Sequence, residues 1–148
     1  MRYLFIILTL LSVALAQPTS VLFIGNSYTG VNNLPQLVYS AALSTNDSLS
    51  VVGHTPGGAR FLTHAGNPAV YQIIKSRQWD YVVLQAQSQE PSFSDGQVNA
   101  QTLPYAEQLA DSVYANHDCS NAMMFMTWGR ENGDPQWAPI STFDGMNA

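Results

Sequence analysis

Ser27 lies directly after an apolar run, in the segment 21–30 (VLFIGNSYTG). A serine hydroxyl is a weak nucleophile until a base takes its proton, and acyl transfer also needs N–H donors for the oxyanion on the substrate. The backbone N–H groups of Ser27 and Gly58 and the side-chain amides of the run 85–89 (QAQSQ) are suitable donors. Gly58 follows Gly57 and has no Cβ, so its backbone can approach a ligand closely. These residue types predict an acyl-transfer site if the fold brings the three loops together.

The glycines around Ser27 match three common glycine motifs poorly. Gly25 and Gly30 have the spacing of a phosphate-binding loop, but residues 31–32 are Val-Asn where Lys and Ser/Thr are required. Ser27 occupies the second glycine position of the dinucleotide fingerprint. The Gly-x-Ser-x-Gly nucleophile elbow fails because Thr29 replaces its last glycine. Nucleotide binding and an α/β-hydrolase elbow are therefore disfavoured.

Each candidate residue also has a simpler structural interpretation. Ser27 could be a helix N-cap, because Asn and Ser side chains satisfy free amide groups there. Residues 57–58 could form an ordinary turn, and the glutamine-rich run 85–89 could be a solvated loop. These interpretations remain open until the loops are placed relative to one another.

The elements that would position these loops alternate along the chain. Apolar runs predict strands over 20–25, 49–54, 79–85 and 122–128, and amphipathic segments predict helices over 34–43, 68–76 and 103–114. Such alternation favours right-handed crossovers and a mainly parallel sheet with helices on both faces. Ligands of such sheets bind beyond the carboxyl ends of the strands, where Ser27, Gly58 and the run 85–89 fall.

Three blocks of the sequence resemble the SGNH/GDSL hydrolase superfamily, in a branch with Gly-Asn-Ser in place of Gly-Asp-Ser: FIGNSYT (23–29), GHTPGGA (53–59) and VVLQAQSQEP (82–91). MTWGRENGD (126–134) is also similar to that branch. The resemblance implies a flavodoxin-like three-layer α/β/α sandwich. It also implies hydrolysis of ester bonds, often of acyl or acetyl groups on carbohydrates or lipids.

Carried over by position, the resemblance implies roles for individual residues. Ser27 would be the catalytic nucleophile and the first oxyanion donor, and Gly58 would be the second donor. The third donor of the superfamily is an Asn that this sequence lacks; Gln87 is the nearest equivalent, with Gln85 as the competing choice.

The general base has no counterpart, because the superfamily's Asp-x-x-His block is absent from this sequence. Of the three histidines, His54 ends the second predicted strand and could face the same cleft, whereas His64 and His117 lie further along the chain. We expect the domain, residues 17–148, to be incomplete at its C-terminus, without its last strand and C-terminal helix. The polypeptide alone is then expected to have little esterase activity, an unpaired sheet edge and an uncovered apolar face.

Residues 1–16 (MRYLFIILTLLSVALA) have the charged start, apolar centre and small terminal residues of a secretory signal peptide. The run is shorter than the roughly 18–20 residues of a membrane span, so we expect a secreted protein without a stable membrane anchor. Cys119 is then an odd cysteine, which indicates a free thiol, an intermolecular bridge or a partner outside this chain.

Composition narrows the function classes further. The net charge of −5 and only five Lys and Arg residues in 148 give no basic patch, which excludes nucleic acid as an expected partner. No metal-ligand spacing and no cofactor motif is recognised. The expected ligand is a small-molecule or glycan ester. The alternative function is a catalytically inactive, secreted glycan-binding module on the same fold, and a flavin role rests on fold analogy alone.

Overall fold

The computed structural model describes residues 17–128. The predicted signal peptide and the residues after Trp128 lie outside the described residues. The strands are β1 (Thr19–Ile24), β2 (Leu49–His54), β3 (Tyr81–Leu84) and β4 (Asn121–Met124). The helices are α1 (Ser27–Gly30), α2 (Leu34–Ser44), α3 (Phe61–Ala65), α4 (Pro68–Lys75), α5 (Asp95–Gln101) and α6 (Leu103–Asn116), with 3₁₀ turns at Val31–Asn33 and Glu90–Ser92.

The four strands form one parallel sheet in the order β2-β1-β3-β4. In its register, Ile24 lies beside His54 on one side and Leu84 on the other, and Leu84 lies beside Met124. The four strands therefore end level with one another. The loops that follow them must share one edge of the sheet, as the alternation of elements predicts.

One face of the sheet carries the apolar core. Alternate residues of β1 and β3 point to this face because side chains in a strand have a period of two. Helices α3, α4 and α6 cover it; the buried residues are Leu22, Ile24, Phe61, Ala65, Val70, Ile74, Trp79, Val82, Leu84, Ala106, Leu109 and Val113. The Trp79 indole N–H, just before β3, donates to the carbonyls of Ile73 and Ile74 at the end of α4, 3.2 and 3.1 Å away.

Helix α2 packs on the opposite face, over β2. A Cβ on Gly53 would lie 3.3 Å from Cγ of Pro35 in the first turn of α2, so this glycine allows the helix to lie close to the strand. Further along the same face, Tyr81 and Met123 are 39% and 49% exposed. The expectation that the domain lacks its last strand and its C-terminal helix stays a prediction.

The predicted fold class, a flavodoxin-like α/β fold with a parallel sheet, is confirmed. Each predicted strand and helix is present, although the strand predicted over 122–128 ends at Met124. Helices α1, α3 and α5 were not predicted, because they are short and lie in segments that read as loops. Within residues 17–128, no helix has the length and apolar character to cross a membrane.

Candidate active site

Ser27 is the first residue of α1 and its side chain is exposed at the sheet edge. The residue that caps this helix is Asn26, whose Oδ1 accepts the Tyr28 backbone N–H at 3.0 Å. The interpretation of Ser27 as the N-cap is therefore wrong, since Asn26 performs that function. No side chain within residues 17–128 is hydrogen-bonded to the Ser27 hydroxyl. The hydroxyl is thus presented to solvent rather than used for local structure.

Gln85, the residue after β3, holds the loop after β1 in place through its buried side chain. Its Oε1 accepts the Asn26 backbone N–H at 3.0 Å and the Thr29 hydroxyl at 2.8 Å. Its Nε2 donates to Asn26 Oδ1 at 3.1 Å and to the carbonyl of Ala86. Because Gln85 is fully buried and both amide hydrogens have acceptors, it has no free donor for an oxyanion. Gln85 is a structural residue of the site.

Gly25 makes this close packing possible. A Cβ at this position would lie 2.6 Å from Gln85 Oε1 and 2.7 Å from Thr29 Oγ1, well inside contact distance. The Gly25 backbone N–H donates to the carbonyl of His54 at 3.1 Å, so the residue also stays in register with β2. A glycine is required between the strand and the loop that carries Ser27.

The Asn26 side chain also binds the loop after β2. Its Nδ2 donates to the carbonyl of Ala59 at 3.0 Å, and both residues are buried. Gly58, next to Ala59, is exposed and has a φ of +70°, which favours glycine over residues with a side chain. The Asn26 side chain therefore fixes the residue before Ser27 against the residue after Gly58.

An ion pair joins the loop after β2 to the loop after β3. Arg60 Nε donates to Glu90 Oε1 at 2.8 Å; Glu90 is fully buried and the Arg60 side chain is 34% exposed. The second carboxylate oxygen of Glu90 accepts the Gln87 backbone N–H at 3.1 Å. The Gln87 side chain lies in a local turn, where its Oε1 accepts the backbone N–H of Gln89 at 2.8 Å. Glu90 therefore fixes the Gln87 backbone relative to the loop after β2, which contains Gly57 and Gly58.

A histidine pair lies beneath the loops after β1 and β2. His64, in α3, is buried, and its Nε2 donates to the Gly25 carbonyl at 3.0 Å. Its ring lies 5.6 Å from that of His54 in an edge-to-face arrangement. Burial lowers the pKa of His64; the bond to Gly25 raises it by a smaller amount, and the nearby His54 lowers it by less again. His64 therefore supports the backbone that precedes Ser27.

Aromatic side chains from the first and fourth loops meet at the same edge. The rings of Tyr28 and Trp128 stack with centroids 4.6 Å apart and an interplanar angle of 13°. Trp128 is 59% exposed. Tyr28 follows Ser27 directly in the chain, so this stacked pair borders the serine.

The described structure thus brings the loops of Ser27, Gly58 and Gln87 together through Asn26, Gln85 and the Arg60–Glu90 pair. The roles of Ser27, Gly58 and Gln87 as nucleophile and oxyanion donors stay predictions. His117 does not join them, because it precedes β4 and so lies towards the opposite edge of the sheet. No cluster of three metal-ligating side chains occurs at this edge within residues 17–128.

Sequence reasoning did not anticipate the residues that hold the site together. Arg60 and Glu90 are 30 positions apart, and no periodic pattern relates them. A usable signal existed: each is a charged residue in a strand-tip loop of a chain that has only 10% charged residues. The structural role of Gln85 could not be read from a run of three similar glutamines.

No protein-family model and no curated protein matches the sequence, but solved structures match the fold. A protein from Slackia heliotrinireducens described as an SGNH hydrolase has a TM-score of 0.69 at 21% identity, over 88% of this chain and 68% of its own. A DUF4886 family protein from Bacteroides uniformis has a TM-score of 0.67 at 17% identity, over 88% of this chain and 57% of its own. The psychrotrophic esterase EstA from Pseudoalteromonas sp., solved with monoethylphosphonate, has a TM-score of 0.52 at 9% identity, over 86% of this chain and 71% of its own.

These likenesses define the class of fold: a parallel α/β sheet with its loops gathered at the carboxyl edge. More particularly, the chain has the fold of SGNH hydrolases and esterases. The chain spans little more than half of the Bacteroides uniformis protein. Because the identities are low, activity and substrate do not follow from the likeness.

Proposed function

We propose that this protein is a serine hydrolase of ester bonds, with Ser27 as its nucleophile. The observation that supports this most strongly is the position of the Ser27 hydroxyl. It is exposed and has no hydrogen bond to any side chain of residues 17–128, while its neighbour Asn26 is buried and fixed to two other loops. A rigid backbone beneath a free hydroxyl is what a nucleophile needs, because reaction requires a fixed approach to the substrate carbonyl.

In the proposed reaction, the Ser27 Oγ attacks the ester carbonyl carbon and a C–O bond forms. The carbonyl electrons move onto oxygen, and the backbone N–H groups of Ser27 and Gly58 with the Gln87 amide stabilise this oxyanion. Loss of one such donor typically reduces kcat by 10²–10³-fold. Collapse of the intermediate expels the alcohol, which takes a proton, and water then hydrolyses the acyl-serine.

This reaction needs a base to accept the Ser27 proton, and no histidine in residues 17–128 is hydrogen-bonded to that hydroxyl. His64 uses Nε2 to bind Gly25 and is buried. We therefore propose that this polypeptide contains the nucleophile and oxyanion donors but has little activity until a base is supplied.

The localisation and the substrate class are also proposals. We infer secretion from the signal-like residues 1–16 and short acyl esters, including acetyl groups on glycans, as substrates.

A small-molecule base provides the test. Hydrolysis of p-nitrophenyl acetate is measured with increasing imidazole for the wild type, Ser27→Ala and Ser40→Ala, a control whose hydroxyl bonds the Gln36 carbonyl on exposed α2. We expect the imidazole-dependent rate of wild type and Ser40→Ala to exceed that of Ser27→Ala at least tenfold. Equal rates for all three proteins would contradict the proposed nucleophile.

The stacked Tyr28–Trp128 pair favours a second candidate, a glycan-binding module without catalysis. An exposed indole face suits the apolar face of a sugar ring, since aromatic surfaces bury such area well. Calorimetric titration with acetylated oligosaccharides would compare wild type, Trp128→Ala and Met126→Ala, a control at an exposed apolar neighbour. Binding that is lost only in Trp128→Ala, together with no Ser27-dependent hydrolysis, would favour the binding module over the enzyme.

A further inference from the structure

We propose that His117, Asp118 and Cys119 form a zinc-binding site. These three residues follow α6 and precede β4, so they lie at the edge of the sheet opposite Ser27. One ligand atom from each, an imidazole nitrogen, a carboxylate oxygen and a thiol sulfur, all lie within 4.8 Å of one another. This site is independent of the proposed hydrolysis.

The distances suit a tetrahedral ion after small side-chain movements. Zn–S bonds of about 2.3 Å and Zn–N or Zn–O bonds of about 2.0–2.2 Å place tetrahedral ligand atoms about 3.3–3.6 Å apart. The two ligand atoms that lie furthest apart, up to 4.8 Å, therefore need to close by about 1.2–1.5 Å. Asp118 and Cys119 are exposed and His117 is half-buried, so their side chains can rotate without disturbing the core.

The backbone that carries the three ligands is held at both ends. The His117 backbone N–H donates to the Val113 carbonyl of α6 at 3.2 Å. The Ser120 hydroxyl donates to the buried Trp79 carbonyl at 2.6 Å, and the Ser120 backbone N–H donates to the His117 carbonyl at 3.0 Å. An anchored turn reduces the entropy that ligands lose when they bind an ion.

The chemical types of the three ligands favour Zn²⁺ over Mg²⁺ and Ca²⁺. A set of one imidazole, one carboxylate and one thiolate suits Zn²⁺, whereas Mg²⁺ and Ca²⁺ prefer oxygen ligands alone. As the Zn–S bond forms, the Cys119 S–H proton passes to solvent, and the other two ligands give lone pairs without bond cleavage. Three protein ligands leave the fourth position for water. The site also explains an odd cysteine, because Cys119 has no second cysteine to pair with in this sequence.

Cobalt is the spectroscopic probe for this site. The reduced full chain is titrated with Co²⁺, and thiolate-to-cobalt charge transfer in the near ultraviolet is recorded. We expect the band to saturate at one Co²⁺ per chain and to disappear when Zn²⁺ is added. The same Zn²⁺ should slow alkylation of Cys119 by iodoacetamide, measured by mass spectrometry.

Variants separate a three-ligand site from a lone thiol. Cys119→Ser should abolish the band, and His117→Gln and Asp118→Asn should each weaken Co²⁺ binding at least tenfold. Asp111→Asn, which removes an acid from α6, should bind as the wild type does. No band, one ion shared by two chains, or a band that survives both His117→Gln and Asp118→Asn would overturn the proposal.

Discussion

Asn26 and Gln85 form a reciprocal pair at the carboxyl ends of β1 and β3. The Asn26 backbone N–H donates to Gln85 Oε1 at 3.0 Å, and Gln85 Nε2 donates back to Asn26 Oδ1 at 3.1 Å. Both side chains are buried, so water cannot replace either bond. The pair therefore fixes the residue immediately before the candidate nucleophile.

Replacement of Gln85 by Ala should destabilise the protein by about 3 kcal/mol or more. The Asn26 backbone N–H and the Thr29 hydroxyl would lose their buried acceptor, and each unsatisfied group costs about 1–3 kcal/mol. Urea unfolding measures the change. The matched control, Gln36→Ala on the exposed surface of α2, should stay within about 0.5 kcal/mol of the wild type. Equal effects of the two substitutions would mean that the Gln85 bonds contribute little.

Gly25→Ala should destabilise the protein by about 1–3 kcal/mol because the added methyl overpacks a closed site. Its Cβ would lie 2.6 Å from Gln85 Oε1, and the bonds of Gln85 would have to lengthen. Gly57→Ala is the control, since a Cβ there would meet no atom within 4 Å. Thermal unfolding of the two variants side by side checks this; a Gly25→Ala protein as stable as Gly57→Ala would contradict the packing argument.

Glu90→Gln should destabilise the loops by about 1.5–3 kcal/mol. Both carboxylate oxygens accept, one from Arg60 Nε and one from the Gln87 backbone N–H, whereas a Gln side chain would present an N–H to one of these donors. The exposed Glu107→Gln in α6 controls for loss of a negative charge. Hydrogen exchange should show faster exchange at Gln87 in Glu90→Gln alone, and protection equal to the wild type would count against this role.

The free energy of unfolding should fall as the pH drops below about 6.5. Burial lowers the pKa of His64 from its ordinary value of 6.5, so the unfolded chain takes up a proton first. This stability is fully present above pH 6.5, declines as the pH falls from there towards the folded pKa, and changes no further below it. Urea unfolding between pH 7.5 and 5.5 should show a shallower dependence for His64→Gln than for wild type. Ser40→Ala, an exposed substitution that removes no titratable group, serves as the control, and a slope in His64→Gln as steep as in wild type would refute the assignment.

The sheet and its carboxyl-edge loops could be predicted from sequence because apolar runs such as 20–25 and 49–54 alternate with amphipathic segments. Ser27 and Gly58 were placed at that edge for the same reason. The structural role of Gln85 could not be predicted, because it depends on which glutamine side chain is buried against Gly25. The capping role of Asn26 was also missed, since Asn and Ser are equally suited to that position.

The convergence of ligand types at 117–119 could not be read from the sequence either. Three consecutive residues in a polar turn point in directions that only the backbone conformation determines. The sequence indicated an odd cysteine, and the turn places an imidazole and a carboxylate beside it.

Covalent labelling tests the central claim, an activated hydroxyl at Ser27, most directly. The full chain is treated with a fluorophosphonate in the presence of imidazole, and the adduct is mapped by mass spectrometry of peptides. We predict one phosphonyl group on the peptide that contains Ser27, and none in Ser27→Ala. A wild-type protein that stays unlabelled, or that is labelled on another serine, would contradict the claim.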